Sequence, residues 1–143
     1  AQGRSGFILR AFCMRLMHLG YRVYFCGETI TPAIGRDDLF IVLSGSGETP
    51  STLESVKIAK KQHAVTCGIL GNTTSRIAAQ VDKIVHLPGT TKLRRETEPD
   101  SFQMAGSLFE QSAFLFLEAI VLILYREKKE DTGSLSRLHT HIE

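Results

Sequence analysis

The sequence predicts one α/β domain, residues 1–143, with a mainly parallel central sheet. Short runs rich in β-branched and apolar residues alternate along the chain with segments whose apolar residues recur at helical spacing. Gly-rich loops follow predicted strands, and parallel sheets bind ligands at the carboxyl ends of their strands. No internal repeat and no second domain is evident, so we expect any ligand site at one edge of a single sheet.

The composition is typical of one soluble globular domain and excludes disorder and fibre. The 143 residues are 43% hydrophobic and 22% charged. Seventeen Lys and Arg against fifteen Asp and Glu give a net charge of +2, so we expect no nucleic-acid partner. Cys13, Cys26 and Cys67 are odd in number and lie in apolar runs, which predicts buried thiols in a reducing, cytoplasmic compartment.

The sequence gives no indication of a membrane protein. The first residues lack the apolar core of a signal peptide. The most apolar segment, residues 113–124, contains Glu118 and is shorter than the about 20 apolar residues that a membrane span needs. We therefore expect this segment to be a buried helix.

The first half of the chain predicts one helix and two strands. Ser5 is a suitable N-cap for a helix that runs to Leu19, and Gly20 stands where a helix ends. Residues 21–26 form a short β-rich run, and residues 39–43 form a second one after a loop. The motif at residues 3–6 is typical of a turn after a strand, yet no strand precedes it in this sequence.

The second half repeats the alternation of strand and helix. Pro50 suits the first turn of a helix that runs to Lys61. We predict strands at residues 65–70 and 83–87 with a short helix between them at residues 75–80. A polar loop follows at residues 88–100, and a final helix at residues 104–129. A polar loop of that length is usually found at a functional site or a linker. The tail from residue 130 is predicted to be irregular.

Residues 44–51, Ser-Gly-Ser-Gly-Glu-Thr-Pro-Ser, join a strand to a helix N-terminus. The glycines allow a close approach of ligand to backbone, and the free amides and helix dipole favour an anion, so phosphate is the natural ligand. The alternative is an ordinary Gly-rich turn capped by Ser or Thr. Spacing excludes three other motifs. A dinucleotide fingerprint would need a small residue in place of Pro50, and the residues that a Walker loop or a nucleophile elbow requires are also missing.

Glu110 is the acid with the most informative surroundings. It lies in the apolar final helix, where a carboxylate needs a partner, an exposed position or a function. Its neighbours one turn back, Gly106 and Ser107, leave space for a ligand. The alternative is an ion pair at a subunit contact. Glu118 has bulky neighbours and is interpreted as structural, and no metal-ligand motif is present in the sequence.

Five segments together resemble the 6-phospho-3-hexuloisomerases of the SIS (sugar isomerase) domain family. They occur in the family's order, at residues 3–6, 14–20, 27–29, 44–49 and 106–111. The resemblance covers nearly the whole chain and implies a three-layer, Rossmann-like sandwich. In that family a helix and the first central strand precede the first motif, so we expect both to be missing here.

The resemblance implies reversible conversion of D-arabino-3-hexulose 6-phosphate to fructose 6-phosphate, in the ribulose monophosphate route of formaldehyde fixation, with no cofactor. It implies a 2,3-enediol intermediate, Glu110 as the base, and His139 contributed from a neighbouring subunit of a homotetramer with shared sites. Arg4, His139 or a backbone amide would stabilise the oxyanion. The residues that would hold the sugar phosphate are Arg4, Ser5, Ser44, Gly45, Ser46, Gly47 and Thr49.

The sequence departs from the family pattern before Gly106, where Met104 and Ala105 replace Pro-Met, and in the tail after His139. Two other functions stay open. One is an aldose–ketose isomerase of the arabinose 5-phosphate type, which works through a 1,2-enediol. The other is a non-catalytic SIS sensor that only binds a sugar phosphate.

Overall fold

A parallel sheet with helices on both faces forms the core of the computed structural model, which describes residues 1–91 and 98–128. The elements of this described part are, in chain order, α1 (Gly3–His18), β1 (Leu39–Ser44), α2 (Pro50–Lys61), β2 (Val65–Leu70), β3 (Lys83–His86) and α3 (Ser107–Lys128). The three strands lie in the order β1-β2-β3, and both pairings are parallel. The predicted α/β class with a parallel sheet is confirmed.

Side chains that alternate along the strands separate the two faces of the sheet. Val42 and Leu70 pack in one buried cluster with side chains of α2, while Leu43 and Ile69 pack in another with side chains of α1 and α3. This alternation is the period of two that a strand imposes on its side chains. The domain therefore has three layers, with α1 and α3 on one side of the sheet and α2 on the other.

Two predicted elements have the observed bounds. The helix α2 begins at Pro50, whose fixed φ and missing N–H suit the first helical position, and its three predicted inward residues, Leu53, Val56 and Ala59, are buried. The strand β2 covers residues 65–70 as predicted. β1 extends one residue further than predicted, and β3 ends one residue earlier.

The first helix begins earlier than predicted. α1 starts at Gly3 with Gln2 as its N-cap, so Ser5 lies inside the first turn and is not the cap. Its end is as predicted: Gly20 has φ +74°, and its amide donates to the Met17 carbonyl oxygen at 2.8 Å. A positive φ at this position favours glycine and terminates the helix.

Residues 21–26, predicted as a strand, belong to no sheet within residues 1–91 and 98–128. The segment is held by side chains instead of by a backbone ladder. Phe25 packs against the cluster between the sheet and α1, the Arg10 guanidinium lies 4.0 Å from its ring centroid, and the Thr31 hydroxyl donates to its carbonyl oxygen at 2.8 Å. The pattern of apolar residues was identified correctly, but the strand prediction was wrong.

Residues 75–80, predicted as a short helix, form consecutive turns. Two of their amides donate outside the segment, while the Ala79 and Gln80 amides donate within it, to the carbonyl oxygens of Ser75 and Ile77. The Ile77 amide donates to the Gly47 carbonyl oxygen at 3.1 Å, and the Arg76 amide donates to Glu48 Oε1 at 3.1 Å. Since the Ala79 amide bonds to the carbonyl four residues back but the Gln80 amide to the one three residues back, the turns do not continue as an α-helix, and the helix prediction was wrong.

Asp82 joins the start of β3 to β2 and α2. Its Oδ2 accepts hydrogen bonds from the amide and the hydroxyl of Thr66, at 2.9 and 2.7 Å, and its Oδ1 accepts one from Lys60 Nζ at 2.8 Å. These hydrogen bonds, that of Lys60 first and those of Thr66 next, hold the pKa of the Asp82 carboxyl well below its usual value. The carboxylate therefore fixes the parallel register of β2 and β3.

The final helix is less buried than predicted. α3 begins at Ser107, and its buried residues form one stripe, Ser107, Phe109, Ala113 and Leu117. Leu115 is 69% exposed and Ile123 is 56% exposed. By length and composition alone α3 is a helix that could cross a membrane, with a mean hydropathy of 1.8 over an 18-residue window. The expectation of a buried helix was correct for one face of α3 and wrong for the other.

The cysteines are also less buried than predicted. Cys26 is exposed, and Cys13 and Cys67 are half-buried; all three are free thiols. Burial raises the pKa of both half-buried thiols. The prediction of three buried thiols was therefore wrong for Cys26.

Candidate active site

The loop at residues 44–49, called here the phosphate loop, leaves the carboxyl end of β1 and enters α2. Ser44 is buried at 5% exposure, and its Oγ accepts a hydrogen bond from the Gly47 amide at 3.1 Å and lies 3.4 Å from Thr49 Oγ1. The Ser46 hydroxyl oxygen accepts from the Glu48 amide at 3.2 Å. The hydroxyls predicted to bind phosphate therefore gather within one turn of chain.

The N-terminus of α2 is open to an anion. Thr49 is its N-cap, and the Thr49 side chain makes no capping hydrogen bond. A helix N-terminus carries amides without intrahelical partners and a partial positive charge. These amides face the same end of the sheet as the Ser44 and Ser46 hydroxyls, an arrangement that binds phosphate or sulfate groups in proteins.

Gly47 gives the phosphate loop its shape. Its φ is +68°, in the left-handed region that favours glycine. A Cβ at this position would lie 1.9 Å from Ser75 Oγ and 2.4 Å from Ser75 Cβ, so no other residue fits without displacing the segment at Ser75. The loop therefore packs backbone against the turn that follows β2.

A second loop, residues 72–77 after β2, holds the phosphate loop from one side. Asn72 Nδ2 donates to the Ser46 carbonyl oxygen at 3.4 Å. Arg76 donates from Nε to Glu48 Oε2 at 2.6 Å and from Nη2 to the Glu48 carbonyl oxygen at 3.0 Å. These contacts fix the phosphate loop without using its Ser and Thr hydroxyls.

Glu110 lies in the first turn of α3, and its carboxylate is largely shielded, with 16% of the side chain exposed. Arg4 of α1 reaches it, with Nε 2.9 Å from Glu110 Oε2. Gly106, at φ +90°, lies one turn back, and a Cβ there would be 3.9 Å from Glu110 Oε1. The space that the sequence predicted beside Glu110 is present.

Phe109 connects Glu110 to the carboxyl edge of the sheet. The Phe109 side chain is 1% exposed, and glycines of the loops after all three strands pack against this residue. A Cβ at Gly45, Gly71 or Gly89 would lie 3.1, 3.2 or 2.6 Å from its nearest atom. Since Phe109 precedes Glu110 directly, the packing that fixes its ring also places the carboxylate near the end of β1.

The carboxylate of Glu110 opens into a groove of about 490 Å³ between α1 and α3. Arg4 and Glu110 are its charged residues, and Phe7, Phe114 and Leu115 supply apolar walls. A carboxylate and a guanidinium in an apolar groove are suited to proton transfer and to stabilising a developing oxyanion. Within residues 1–91 and 98–128, no group of three or more His, Cys, Asp or Glu could hold a metal ion.

The structure brings together most of the predicted site residues, in two groups. Ser44, Gly45, Ser46, Gly47 and Thr49 form the phosphate loop, and Arg4 contacts Glu110. Ser5 is half-buried in α1 next to Arg4, and it makes no hydrogen bond to the phosphate loop within the described part of the chain. His139 lies outside the described residues.

Three features of this site were not predicted from the sequence. Arg76 binds Glu48, Phe109 packs under the three loops, and Arg4 pairs with Glu110 itself. One signal for the first was available, because an acid inside an anion-binding loop needs a cation close by. The other two depend on contacts between segments far apart in the chain, which spacing does not report.

Fold and site define a class: parallel α/β domains with a loop suited to anions at the carboxyl edge of the sheet and a carboxylate–guanidinium ion pair beside it. The family model that matches is the SIS domain, over residues 1–96. A 3-hexulose-6-phosphate isomerase of Bacillus subtilis is 38% identical over 141 residues, which is 99% of this chain and 76% of that protein. One from Mycobacterium gastri is 39% identical over 99% of this chain and 70% of its own length.

A crystal structure from Methanococcus jannaschii superposes with a TM-score of 0.88 at 33% identity, covering 100% of this chain and 76% of that one. Its description infers a molecular function of 3-hexulose-6-phosphate isomerase. The chain belongs to the SIS domain family, within the group of the 3-hexulose-6-phosphate isomerases.

Proposed function

We propose that this protein interconverts D-arabino-3-hexulose 6-phosphate and fructose 6-phosphate, and that it serves the ribulose monophosphate route of formaldehyde fixation in the cytoplasm. The observation that carries the proposal is the identity of 34–39% to four relatives named 3-hexulose-6-phosphate isomerase, each matched over at least 98% of this chain. An anion-binding loop and a shielded carboxylate beside the same sheet edge suit a sugar phosphate.

The phosphate loop holds the phosphate end of the substrate. The hydroxyls of Ser44, Ser46 and Thr49 and the first amides of α2 provide hydrogen-bond donors, and the helix dipole favours the dianion. Ser5 and the backbone of Gly45 and Gly47 complete the contacts. Binding the non-reacting phosphate tightly orients the sugar carbons, which is how remote contacts contribute to the rate of an enzyme.

Glu110 acts as the base. From the 3-keto sugar, its carboxylate takes the proton on C2, the C2–H electron pair forms the C2=C3 double bond, and the carbonyl at C3 becomes an enediol oxygen. The hydroxyl proton on the C2 oxygen passes to the C3 oxygen, so that the C2 oxygen becomes the carbonyl as the same carboxyl returns a proton to C3. One group on one face of the sugar can serve both steps, because the two carbons are adjacent.

Arg4 has two functions in this mechanism. Its Nε lies 2.9 Å from Glu110 Oε2, so it orients the carboxylate and leaves Oε1, above Gly106, for the substrate. Its guanidinium also carries further donors that stabilise negative charge on the enediolate oxygens. His139 is proposed as an additional donor, contributed by a neighbouring subunit.

We further propose that the protein is a homotetramer whose apolar α1 and α3 surfaces are covered by other copies of the chain. Phe7, Leu115 and Ile123 are 71%, 69% and 56% exposed, and continuous apolar surfaces of this kind mark protein or membrane contacts. Because the groove beside Glu110 includes Phe7 and Leu115, covering this surface would close the site and allow copies to share it.

The first experiment is NMR of fructose 6-phosphate incubated with the protein in heavy water. We expect deuterium at C3 of fructose 6-phosphate together with signals of the 3-keto product. Exchange at C1 would identify an aldose–ketose isomerase with a 1,2-enediol. Tight binding of the sugar phosphate with neither exchange nor product would identify a sensor.

Glu110→Gln tests the base, with Glu118→Gln as its control. Both residues lie on α3 and both pair with an arginine of α1, Glu110 with Arg4 at 2.9 Å and Glu118 with Arg15 at 3.8 Å. Loss of a general base lowers turnover by a factor of about 10² to 10⁴, so we expect that loss for Glu110→Gln, retained phosphate-ester binding, and wild-type turnover for Glu118→Gln. Equal effects of both variants would contradict the assignment.

Light scattering tests the oligomer. We expect the wild-type protein at about four times its chain mass, and Ile123→Glu, which lies away from the groove, at a lower mass with lower turnover. A wild-type monomer, or a wild-type protein that floats with lipid vesicles, would contradict the proposal that copies of the chain cover α3.

A further inference from the structure

The phosphate loop contains an acid that opposes its proposed ligand. Glu48 lies between Gly47 and Thr49, and 27% of its side chain is exposed. A carboxylate this close to a phosphate dianion is unfavourable unless a cation compensates for it, because like charges near a protein surface repel strongly over a few ångströms. The loop therefore needs a positive group bound to Glu48.

Arg76 provides that group with three contacts to one residue. Its Nε donates to Glu48 Oε2 at 2.6 Å, its backbone amide donates to Oε1 at 3.1 Å, and its Nη2 donates to the Glu48 carbonyl oxygen at 3.0 Å. Both carboxylate oxygens and the backbone of Glu48 are thereby held. Because the guanidinium contacts one carboxylate oxygen and the carbonyl oxygen, and the backbone amide contacts the other carboxylate oxygen, these contacts fix the geometry of Glu48 as well as its charge.

Arg76 works together with its neighbours in the second loop. Asn72 holds the carbonyl of Ser46, and the Ile77 amide holds the carbonyl of Gly47 at 3.1 Å. Three consecutive carbonyls of the phosphate loop, at residues 46, 47 and 48, thus accept hydrogen bonds from the second loop. The Ser44 and Ser46 hydroxyl oxygens accept from the Gly47 and Glu48 amides, so the hydroxyl protons and the first amides of α2 are the donors that remain for a ligand.

We infer that Arg76 is a positioning residue for phosphate binding: by neutralising the Glu48 carboxylate and holding it in place, it keeps the phosphate loop in its anion-binding shape. The inference rests on the proposed phosphate site. Two other roles give different results in the experiment below. Arg76 could be an ordinary surface ion pair, which contributes little, or it could bind the phosphate directly, independently of Glu48.

The test is a double-mutant cycle on the dissociation constant of fructose 6-phosphate, measured by calorimetry for the wild type, Arg76→Gln, Glu48→Gln and the double variant. We expect Arg76→Gln to weaken binding by about three- to tenfold at low salt, the range for one unscreened charge near a protein surface. The double variant should bind within about twofold of Glu48→Gln, since the unopposed carboxylate is then gone. Added salt should reduce the loss.

The matched control is the pair of Glu54 and Lys57 on α2, which are exposed and 2.5 Å apart. Glu54→Gln, Lys57→Gln and their double variant change the same charges outside the phosphate loop, and we expect no change in the dissociation constant. Melting temperatures of all variants check that the chains are folded.

The outcomes separate the inference from the proposed function. If Arg76→Gln weakens binding of fructose 6-phosphate equally with and without the Glu48 carboxylate, Arg76 contacts the phosphate directly and the inference is overturned. An unchanged dissociation constant in Arg76→Gln would overturn it as well. Coupled binding losses in a protein that shows no isomerase turnover would support the inference and overturn the proposed reaction. A wild-type protein that does not bind fructose 6-phosphate would overturn both.

Discussion

Gly47→Ala is the substitution whose effect the structure determines most directly. The new methyl group would occupy a residue at φ +68° and would lie 1.9 Å from Ser75 Oγ and 2.4 Å from Ser75 Cβ. The backbone conformation costs about 1–2 kcal/mol for a residue with a Cβ. Displacing the well-packed turn at Ser75 costs about 1–3 kcal/mol more.

The sum is a loss of about 2–5 kcal/mol in the free energy of unfolding. For a domain of this size, each kcal/mol lowers the melting temperature by about 2–5 °C. Gly27→Ala is the control, because Gly27 also has a positive φ, +99°, but a Cβ there would meet nothing within 4 Å. It isolates the cost of the backbone conformation from the cost of the steric overlap.

The free energy of unfolding of both variants is measured in urea, and their dissociation constants for fructose 6-phosphate are measured alongside. We expect Gly47→Ala to lose more stability than Gly27→Ala and to bind the sugar phosphate much more weakly, while Gly27→Ala binds as the wild type does. Equal destabilisation of the two variants with unchanged binding would show that the turn at Ser75 yields to the methyl group. The rigid contact between the two loops would then be refuted.

Two further predictions follow from the pKa shifts. Because Lys60 and Thr66 lower the pKa of Asp82 in the folded chain, its stabilising contribution is complete above about pH 5 and is lost as the pH falls below about 4, where only the unfolded carboxyl takes up protons. The difference in urea midpoint between wild type and Asp82→Asn should therefore shrink from about pH 5 to about pH 2, and a constant difference over that range would contradict this. Burial raises the pKa of Cys67, while Cys26 is exposed. Cys26→Ser should therefore abolish the fastest phase of thiol labelling with Ellman's reagent. A fast phase that persists in this variant would show that another cysteine reacts fastest.

Local signals were sufficient for the part of the fold where local and tertiary preferences agree. Pro50, the helical spacing of Leu53, Val56 and Ala59, and the β-rich run at residues 65–70 predict α2 and β2 with their observed bounds. The phosphate loop was predictable for the same reason: its glycines and hydroxyls lie together in sequence as they do in space.

Tertiary hydrogen bonds explain the main failure. Residues 75–80 have helical spacing and keep one helical hydrogen bond, from the Ala79 amide to the Ser75 carbonyl oxygen. The amides of Arg76 and Ile77 fix the backbone against the phosphate loop, and such tertiary contacts override a weak helical propensity. Tertiary contacts also override the prediction at residues 21–26, where apolar side chains pack on the core but no strand of the described part of the chain pairs with the segment. Neither competing interaction is visible in the spacing of one segment.

Exposure of α3 has a different origin. An apolar run predicts burial, but a helix in a three-layer domain buries only the stripe that faces the sheet, here Phe109, Ala113 and Leu117. The apolar side chains outside that stripe, such as Leu115, need a second surface. Composition therefore reports the total apolar area of a helix, and only the packing shows how much of it one chain can cover.

Phe109 and Glu110 show how this fold can hold a carboxylate on a helix in a precise position. Consecutive helical residues point about 100° apart, so Phe109 enters the core beneath the loops of Gly45, Gly71 and Gly89 while Glu110 faces the groove. A base displaced by about 1 Å can lose two orders of magnitude in rate, and a ring that is 1% exposed has little freedom to move. Because the same ring also supports Gly45 of the phosphate loop, one buried side chain sets the distance between that loop and the Glu110 carboxylate.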